Sequence, residues 1–171
     1  EPDKTTFKKL QSNVSNVRDC IGVNAAVCQK DGTIAFVSGG GRASHIGQGE
    51  DTIECVSVDG YCGFNHIKAD GIDVGQATAV QEVAAARAEA DGIDVGSIKI
   101  DAEGMDNEVI YGAVNTIYCC KPNISVALYH RADDIVEIPL LLRKHNHKYK
   151  FYLRKKEYIP AWDIFLYAIT E

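Results

Sequence analysis

Ile98-Lys99-Ile100-Asp101-Ala102-Glu103-Gly104 closes an apolar strand pattern with two carboxylates and a glycine, and a helical pattern starts directly after it. In open α/β sheets, ligands bind outside the carboxyl ends of the strands, so side chains at a strand-to-helix junction face a crevice rather than the core. Asp101 and Glu103 are therefore the first candidates for chemistry. Downstream, residues 105–120 carry Val109, Ile110, Ala113 and Ile117 at helical spacing, with Asp106 and Glu108 in the first turn, where negative charge favours the helix dipole. Residues 124–129 then read as a second buried strand ending at His130-Arg131, which would bring His130 to the same rim as Asp101. Residues 133–146 read as a helix with Ile135, Ile138, Leu141 and Leu142 inward despite Pro139, and residues 149–153 and 164–169 as a closing antiparallel pair of strands.

Upstream of the motif, Phe7, Leu10 and Val14 fall three and four apart behind Asp3, the pattern of an amphipathic helix with its cap. Residues 21–27 read as a buried strand, returning through a hairpin turn at Asp31-Gly32 into residues 33–37. Gly39-Gly40-Gly41 reads as a loop, and residues 52–58 as a further strand ending at Asp59-Gly60. Between residues 69 and 96 the heptapeptide Ala-Asp-Gly-Ile-Asp-Val-Gly occurs twice, from Ala69 and again from Ala90, around an alanine-rich helix candidate at residues 76–89. Two copies are too few for a solenoid, so a local tandem duplication is expected. The Asp/Gly spacing lacks the closing glutamate of a calcium loop.

A chain of 171 residues, 46% hydrophobic and 25% charged, is expected to form a single domain over residues 1–171 with its own core. No apolar run approaches the roughly 18–20 residues of a membrane span. The net charge of −6 argues against a nucleic-acid partner, because such proteins need basic surface to displace condensed counterions. A small-molecule substrate is expected instead. The six cysteines show no zinc spacing, and without a signal pattern they are expected as reduced thiols of a soluble, cytoplasmic protein. The sole methionine is Met105 and the chain opens on Glu1-Pro2, which reads as part of a longer product.

Strands alternating with helices imply a largely parallel sheet covered on both faces. With the antiparallel closing pair, this resembles the sheet of class I S-adenosylmethionine-dependent methyltransferases. More closely, the chain resembles the FkbM-type methyltransferases. The segments that carry the likeness are Glu1-Pro2-Asp3 with Phe7 and Leu10, Asn24-Ala25-Ala26-Val27 with Asp31-Gly32, and Val56-Ser57-Val58-Asp59. They continue through residues 98–104, Glu108-Val109, Gly112-Ala113, Lys121-Pro122 and Tyr129-His130. The resemblance implies a Rossmann-like α/β sheet, mostly parallel with an antiparallel C-terminal strand. It also implies transfer of a methyl group from S-adenosylmethionine to a hydroxyl of a sugar or natural-product-like acceptor.

On this resemblance Glu1 would accept hydrogen bonds from the cofactor's ribose, and Asp59 would also lie at the cofactor. His130 would be the general base, with Asp101 orienting it and Glu103 beside them. The family's first strand and glycine-rich turn would precede Glu1, so the fold is expected to lack its first strand, and the isolated chain to bind cofactor weakly or not at all. The repeat reads as an insertion. Asp59, Asp101 and Glu103 offer three oxygens that would suit magnesium, although nothing in their spacing demands a metal. The basic and aromatic residues between Arg143 and Lys156 read as a solvated surface. The alternative function is a non-catalytic α/β module that binds a glycan or a protein.

Overall fold

The computed structural model describes residues 1–17, 20–37, 45–46, 49, 51–65, 68–69, 71–75, 94–155 and 163–170. Its larger sheet has five strands, β6 (Ile72–Gly75), β8 (Ser97–Asp101), β9 (Asn123–Ala127), β10 (Lys150–Lys155) and β11 (Ile164–Ile169), in the order β10-β11-β9-β8-β6. Strands β6, β8 and β9 are parallel, and β11 runs antiparallel to both β9 and β10, as expected for the closing strand. Side-chain alternation decides which face is buried. Ile98 and Ile100 of β8, Ile124 and Val126 of β9, and Leu166 and Ala168 of β11 share one face, and all are buried.

That face is covered by α3 (Asp106–Tyr111), α4 (Val114–Cys120) and α5 (Asp134–His145), which contribute Val109, Ile110, Ile117, Ile138 and Leu142 to the same core, with Ala113 between α3 and α4. Right-handed crossovers explain why the helices lie together, since the chain passes from β8 to β9 and on to β10 in one direction across the sheet. Each fully buried isoleucine contributes about 1.5–3 kcal/mol through burial. The opposite face carries Lys99, Ser125, Tyr167 and Tyr152 in register, with Lys99, Tyr167 and Tyr152 exposed. Among the described residues the sheet is thus covered on one face, not on both.

A second, four-stranded sheet holds β1 (Ala26–Val27), β2 (Gly32–Val37), β3 (His45–Ile46) and β4 (Asp51–Val56) in the order β1-β4-β2-β3. The fold is therefore a mixed α/β arrangement with two principal sheets. Only Ala26 and Val27 of the expected first strand are extended in a sheet, and Ile21 is exposed. The expected hairpin does not form either. β1 pairs in parallel with β4, and β2 pairs with β4 and β3. Asp31 explains the difference, because its carboxylate accepts the Ser57 N–H at 2.6 Å and the Ser57 hydroxyl at 3.0 Å, tying the turn to the end of β4. Cys28 and Cys55 are joined as a disulfide with Cα atoms 5.9 Å apart, so these two are not the reduced thiols expected, while Cys20, Cys62, Cys119 and Cys120 remain thiols.

The repeat copies take different roles. Ile72–Gly75 of the first copy becomes β6 beside β8, so that side of β8 has a strand neighbour although the family's first strand was expected to be missing. Asp94–Val95 of the second copy forms β7, paired in parallel with β5 (Lys68–Ala69). The expected Gly39-Gly40-Gly41 loop and the helix at residues 76–89 lie outside the described residues.

Two further helices precede the β6–β8 region. α1 (Lys4–Val14) starts at Asp3, whose carboxylate accepts the Thr6 N–H at 2.8 Å. α2 (Val58–Asn65) begins directly after β4. The single helix expected over residues 105–120 is broken at Gly112-Ala113 into α3 and α4. At this break the Gly112 carbonyl accepts the Asp59 N–H at 2.8 Å, and a Cβ on Gly112 would strike the Cys28 carbonyl oxygen. The helical layer touches the second sheet where only a glycine fits. No described helix is long and apolar enough to cross a membrane.

Candidate active site

The parallel strands β8 and β9 end side by side, and the two turns that follow them converge. After Asp101 the chain passes through buried Ala102 into Glu103 (φ +50°) and Gly104 (φ +96°) before α3 begins. A left-handed conformation costs a non-glycine residue roughly 1–2 kcal/mol, so something must hold Glu103 there. Asp106 does so. Its Oδ1 accepts the Ala102 N–H at 3.0 Å, and its Oδ2 accepts the Gly104 N–H at 3.2 Å.

After β9, Leu128 donates its N–H to the Ile164 carbonyl at 2.9 Å, which aligns Tyr129 and His130 with this turn. The Tyr129 hydroxyl donates to Asp101 Oδ1 at 2.8 Å. The His130 ring lies between carboxylates. Its Nδ1 is 2.9 Å from Asp106 Oδ2, and its Nε2 is 3.4 Å from Asp101 Oδ1 and 3.7 Å from Glu103 Oε2. The His130 side chain is 8% exposed, and Nε2 is buried with no hydrogen-bond partner. Such an atom is costly in a folded protein unless a ligand or water uses it. Tyr129 packs against the imidazole with ring centroids 4.4 Å apart, and Phe165 of β11 packs against Tyr129 edge-on at 5.8 Å.

Burial works against a charged imidazolium, but the hydrogen bond and charge of Asp106, joined by the charges of Glu103 and Asp101, more than offset it. His130 therefore titrates above its ordinary value. Burial pushes the Tyr129 phenol well above its ordinary value, and the neighbouring Asp101 adds to this, so the phenol stays a hydrogen-bond donor. Chemically, the arrangement offers a proton acceptor at Nε2 flanked by two carboxylates that can receive hydroxyl hydrogen bonds. The partly exposed carboxylates of Asp101 and Glu103 make the outer side of the cluster negative.

Of the residues expected from sequence, Asp101, Glu103 and His130 are brought together. Asp59 has a different set of partners. It lies in the first turn of α2, and its carboxylate accepts the Asn115 N–H at 2.8 Å, the Thr116 N–H at 2.7 Å and the Thr116 hydroxyl at 2.8 Å. It thereby caps α4. Glu1 lies at the start of α1, where its Oε1 accepts the Asp3 N–H at 2.9 Å and its backbone carbonyl accepts from the Asn24 side chain at 2.9 Å. Among the described residues no group of three His, Cys, Asp or Glu side chains is arranged to hold a metal ion. A groove of about 430 Å³ on the open sheet face, lined by Ser97, Lys99, Ser125 and Tyr167 among others, includes none of the His130 cluster.

Sequence reasoning misses two members of the cluster. Asp106 reads only as a charge at a helix start, although a glycine two residues before it signals a tight turn that needs an acceptor. Tyr129 reads as a strand residue, and its place beside His130 at a strand end is the available signal.

The sequence model of the methyltransferase FkbM domain matches residues 1–151. A search of curated proteins finds no match. Among solved structures, the crystal structure of methyltransferase FkbM from Methylobacillus flagellatus KT is similar to this chain, with a TM-score of 0.62 and 18% identity. The likeness covers 99% of this chain and 35% of that one, so this chain spans about a third of that protein's length. At this identity the likeness concerns the fold.

Proposed function

Because the chain belongs to the methyltransferase FkbM family, we propose that it takes part in S-adenosylmethionine-dependent methylation of a hydroxyl on a sugar or natural-product-like acceptor, on a Rossmann-like class I sheet. The observation that carries this reading is the buried, unpartnered Nε2 of His130, flanked by Asp101 and Glu103. When bound, the cofactor supplies an electrophilic methyl group on a sulfonium.

The chain's own residues do the rest. His130 Nε2 takes the proton of the acceptor hydroxyl as its oxygen becomes the nucleophile. Asp101 and Glu103 accept hydrogen bonds from hydroxyls of the acceptor and orient it, and the Tyr129 hydroxyl holds Asp101 in place. Glu1 receives the ribose hydroxyls in this reading, while Asp59 anchors α4. A positioned general base is worth about 10²–10⁴-fold in rate, and alignment of the two reactants lowers the barrier further.

Calorimetric titration with S-adenosylhomocysteine, followed by mass-spectrometric detection of that product during incubation with S-adenosylmethionine and a panel of hydroxylated acceptors, tests the reading. Turnover that falls about 10²–10⁴-fold in His130→Ala, with melting unchanged, is expected. A folded chain that neither binds S-adenosylhomocysteine nor turns over overturns the reading and favours the non-catalytic module.

A further inference from the structure

We infer that Asp106 is the positioning residue of this site: it fixes the proton of neutral His130 on Nδ1 and so leaves the lone pair on Nε2, facing Asp101 and Glu103. The inference rests on the base role given to His130 above. It is not the sequence expectation, in which Asp101 is the orienting carboxylate.

The geometry separates the two aspartates. Asp106 Oδ2 lies 2.9 Å from Nδ1, within hydrogen-bond range, and its side chain is 0% exposed. Asp101 Oδ1 lies 3.4 Å from Nε2, its side chain is 28% exposed, and it already accepts the Tyr129 hydroxyl. At 3.4 Å the Asp101 contact makes no hydrogen bond to the ring. The carboxylate of Asp106 cannot easily swing away, because the Ala102 and Gly104 N–H groups grip its two oxygens. The strained turn at Glu103 and Gly104 is thus what aims Asp106, and Asp106 in turn aims the ring. In a neutral imidazole one nitrogen donates and the other accepts, and the partner of the first decides which. Here that partner is Asp106.

The charged groups facing the ring are Asp106 of α3, Asp101 of β8 and Glu103 in the turn, and the Tyr129 ring packs against it. Arg131 follows in the chain, but its guanidinium is exposed and points to Asp133 at 3.3 Å. Among the described residues both ring nitrogens therefore face carboxylates, and no cation stands beside the ring to favour deprotonated Nδ1.

Asp106→Asn is the informative substitution. An amide at this position can turn its NH2 toward Nδ1, which would move the neutral ring's proton to Nε2 and remove the base. The expected result is a His130 pKa below that of the wild type and turnover lower by a factor on the order of 10² or more, with KM little changed. NMR of the chain carrying ¹⁵N-labelled histidine, followed through a pH titration, reads the tautomer without cofactor or acceptor. The wild type should show His130 as the Nδ1–H form once neutral, Asp106→Asn the Nε2–H form, and Asp101→Asn the wild-type form.

An Nε2–H ring in the wild type, or an unchanged tautomer in a folded Asp106→Asn protein, overturns the assignment. If Asp106→Asn does not fold, the wild-type tautomer alone decides. An Nδ1–H ring in a chain that fails to bind S-adenosylhomocysteine refutes the methyl-transfer reading and leaves the tautomer assignment standing.

Discussion

Asp59→Ala should destabilise the protein without weakening cofactor binding. Three acceptor contacts vanish in this variant, to the Asn115 and Thr116 N–H groups and the Thr116 hydroxyl, at 2.7–2.8 Å in the wild type. Hydrogen bonds to a charged group are worth about 1.5–3 kcal/mol each, but burial raises the Asp59 pKa despite these bonds, so part of that gain is cancelled by the cost of the buried charge. A net loss of about 3 kcal/mol follows, somewhat above the usual range for a lost helix cap. In a chain of this size that is a fall of roughly 6–12 °C in Tm. Asp59→Asn keeps one acceptor oxygen and should lose about half as much.

The pH dependence has a definite sign. A folded-state pKa above the unfolded value of about 3.9 means that the folded protein takes up this proton first. The wild-type advantage over Asp59→Ala therefore grows as pH falls through the raised pKa and shrinks as pH rises through it. Urea unfolding at several pH values, with calorimetric titration of S-adenosylhomocysteine into both proteins, measures the effect. A stability loss below about 1 kcal/mol together with weakened binding would refute this reasoning and return Asp59 to the cofactor.

Gly112→Ala should cost about 2–3 kcal/mol, because its Cβ would meet the Cys28 carbonyl oxygen and backbone cannot retreat as a flexible side chain can; an unchanged urea midpoint would contradict the close approach. The Cys28–Cys55 disulfide closes a sequence separation of 27, worth about 3.5 kcal/mol in the chain-entropy treatment. Alkylation of the denatured, unreduced chain should modify Cys20, Cys62, Cys119 and Cys120 only, and modification of Cys28 and Cys55 in that sample would rule the bond out.

Local pattern makes much of this protein legible. The alternation through Ile98 and Ile100 gives β8 its buried face, helical spacing locates α1 and α5 within a residue or two, and the carboxylates at the end of β8 lie beside His130. The same local reading fails where a distant group overrules propensity. Residues 21–27 are apolar enough for a strand, yet only Ala26 and Val27 pair, and their neighbour is β4 rather than β2. Residues 105–120 keep a helical period throughout, yet the helix breaks where Gly112 meets Cys28.

The sequence by itself determined the alternation of strand and helix from β8 onward, part of the residues that could carry chemistry, and the family, because each depends on spacing or identity along a short stretch of chain. Only the tertiary structure decided who meets whom. Two identical heptapeptides became β6 of the central sheet in one place and β7 of a small pair in the other, since a strand's role is set by the edge available to it. Asp59 went to α4, more than fifty residues away in sequence. Asp106 lies 2.9 Å from the His130 ring, closer than Asp101 at 3.4 Å. Hydrogen bonds of 2.9 Å and contacts of 3.4 Å differ in effect, and sequence spacing cannot distinguish them.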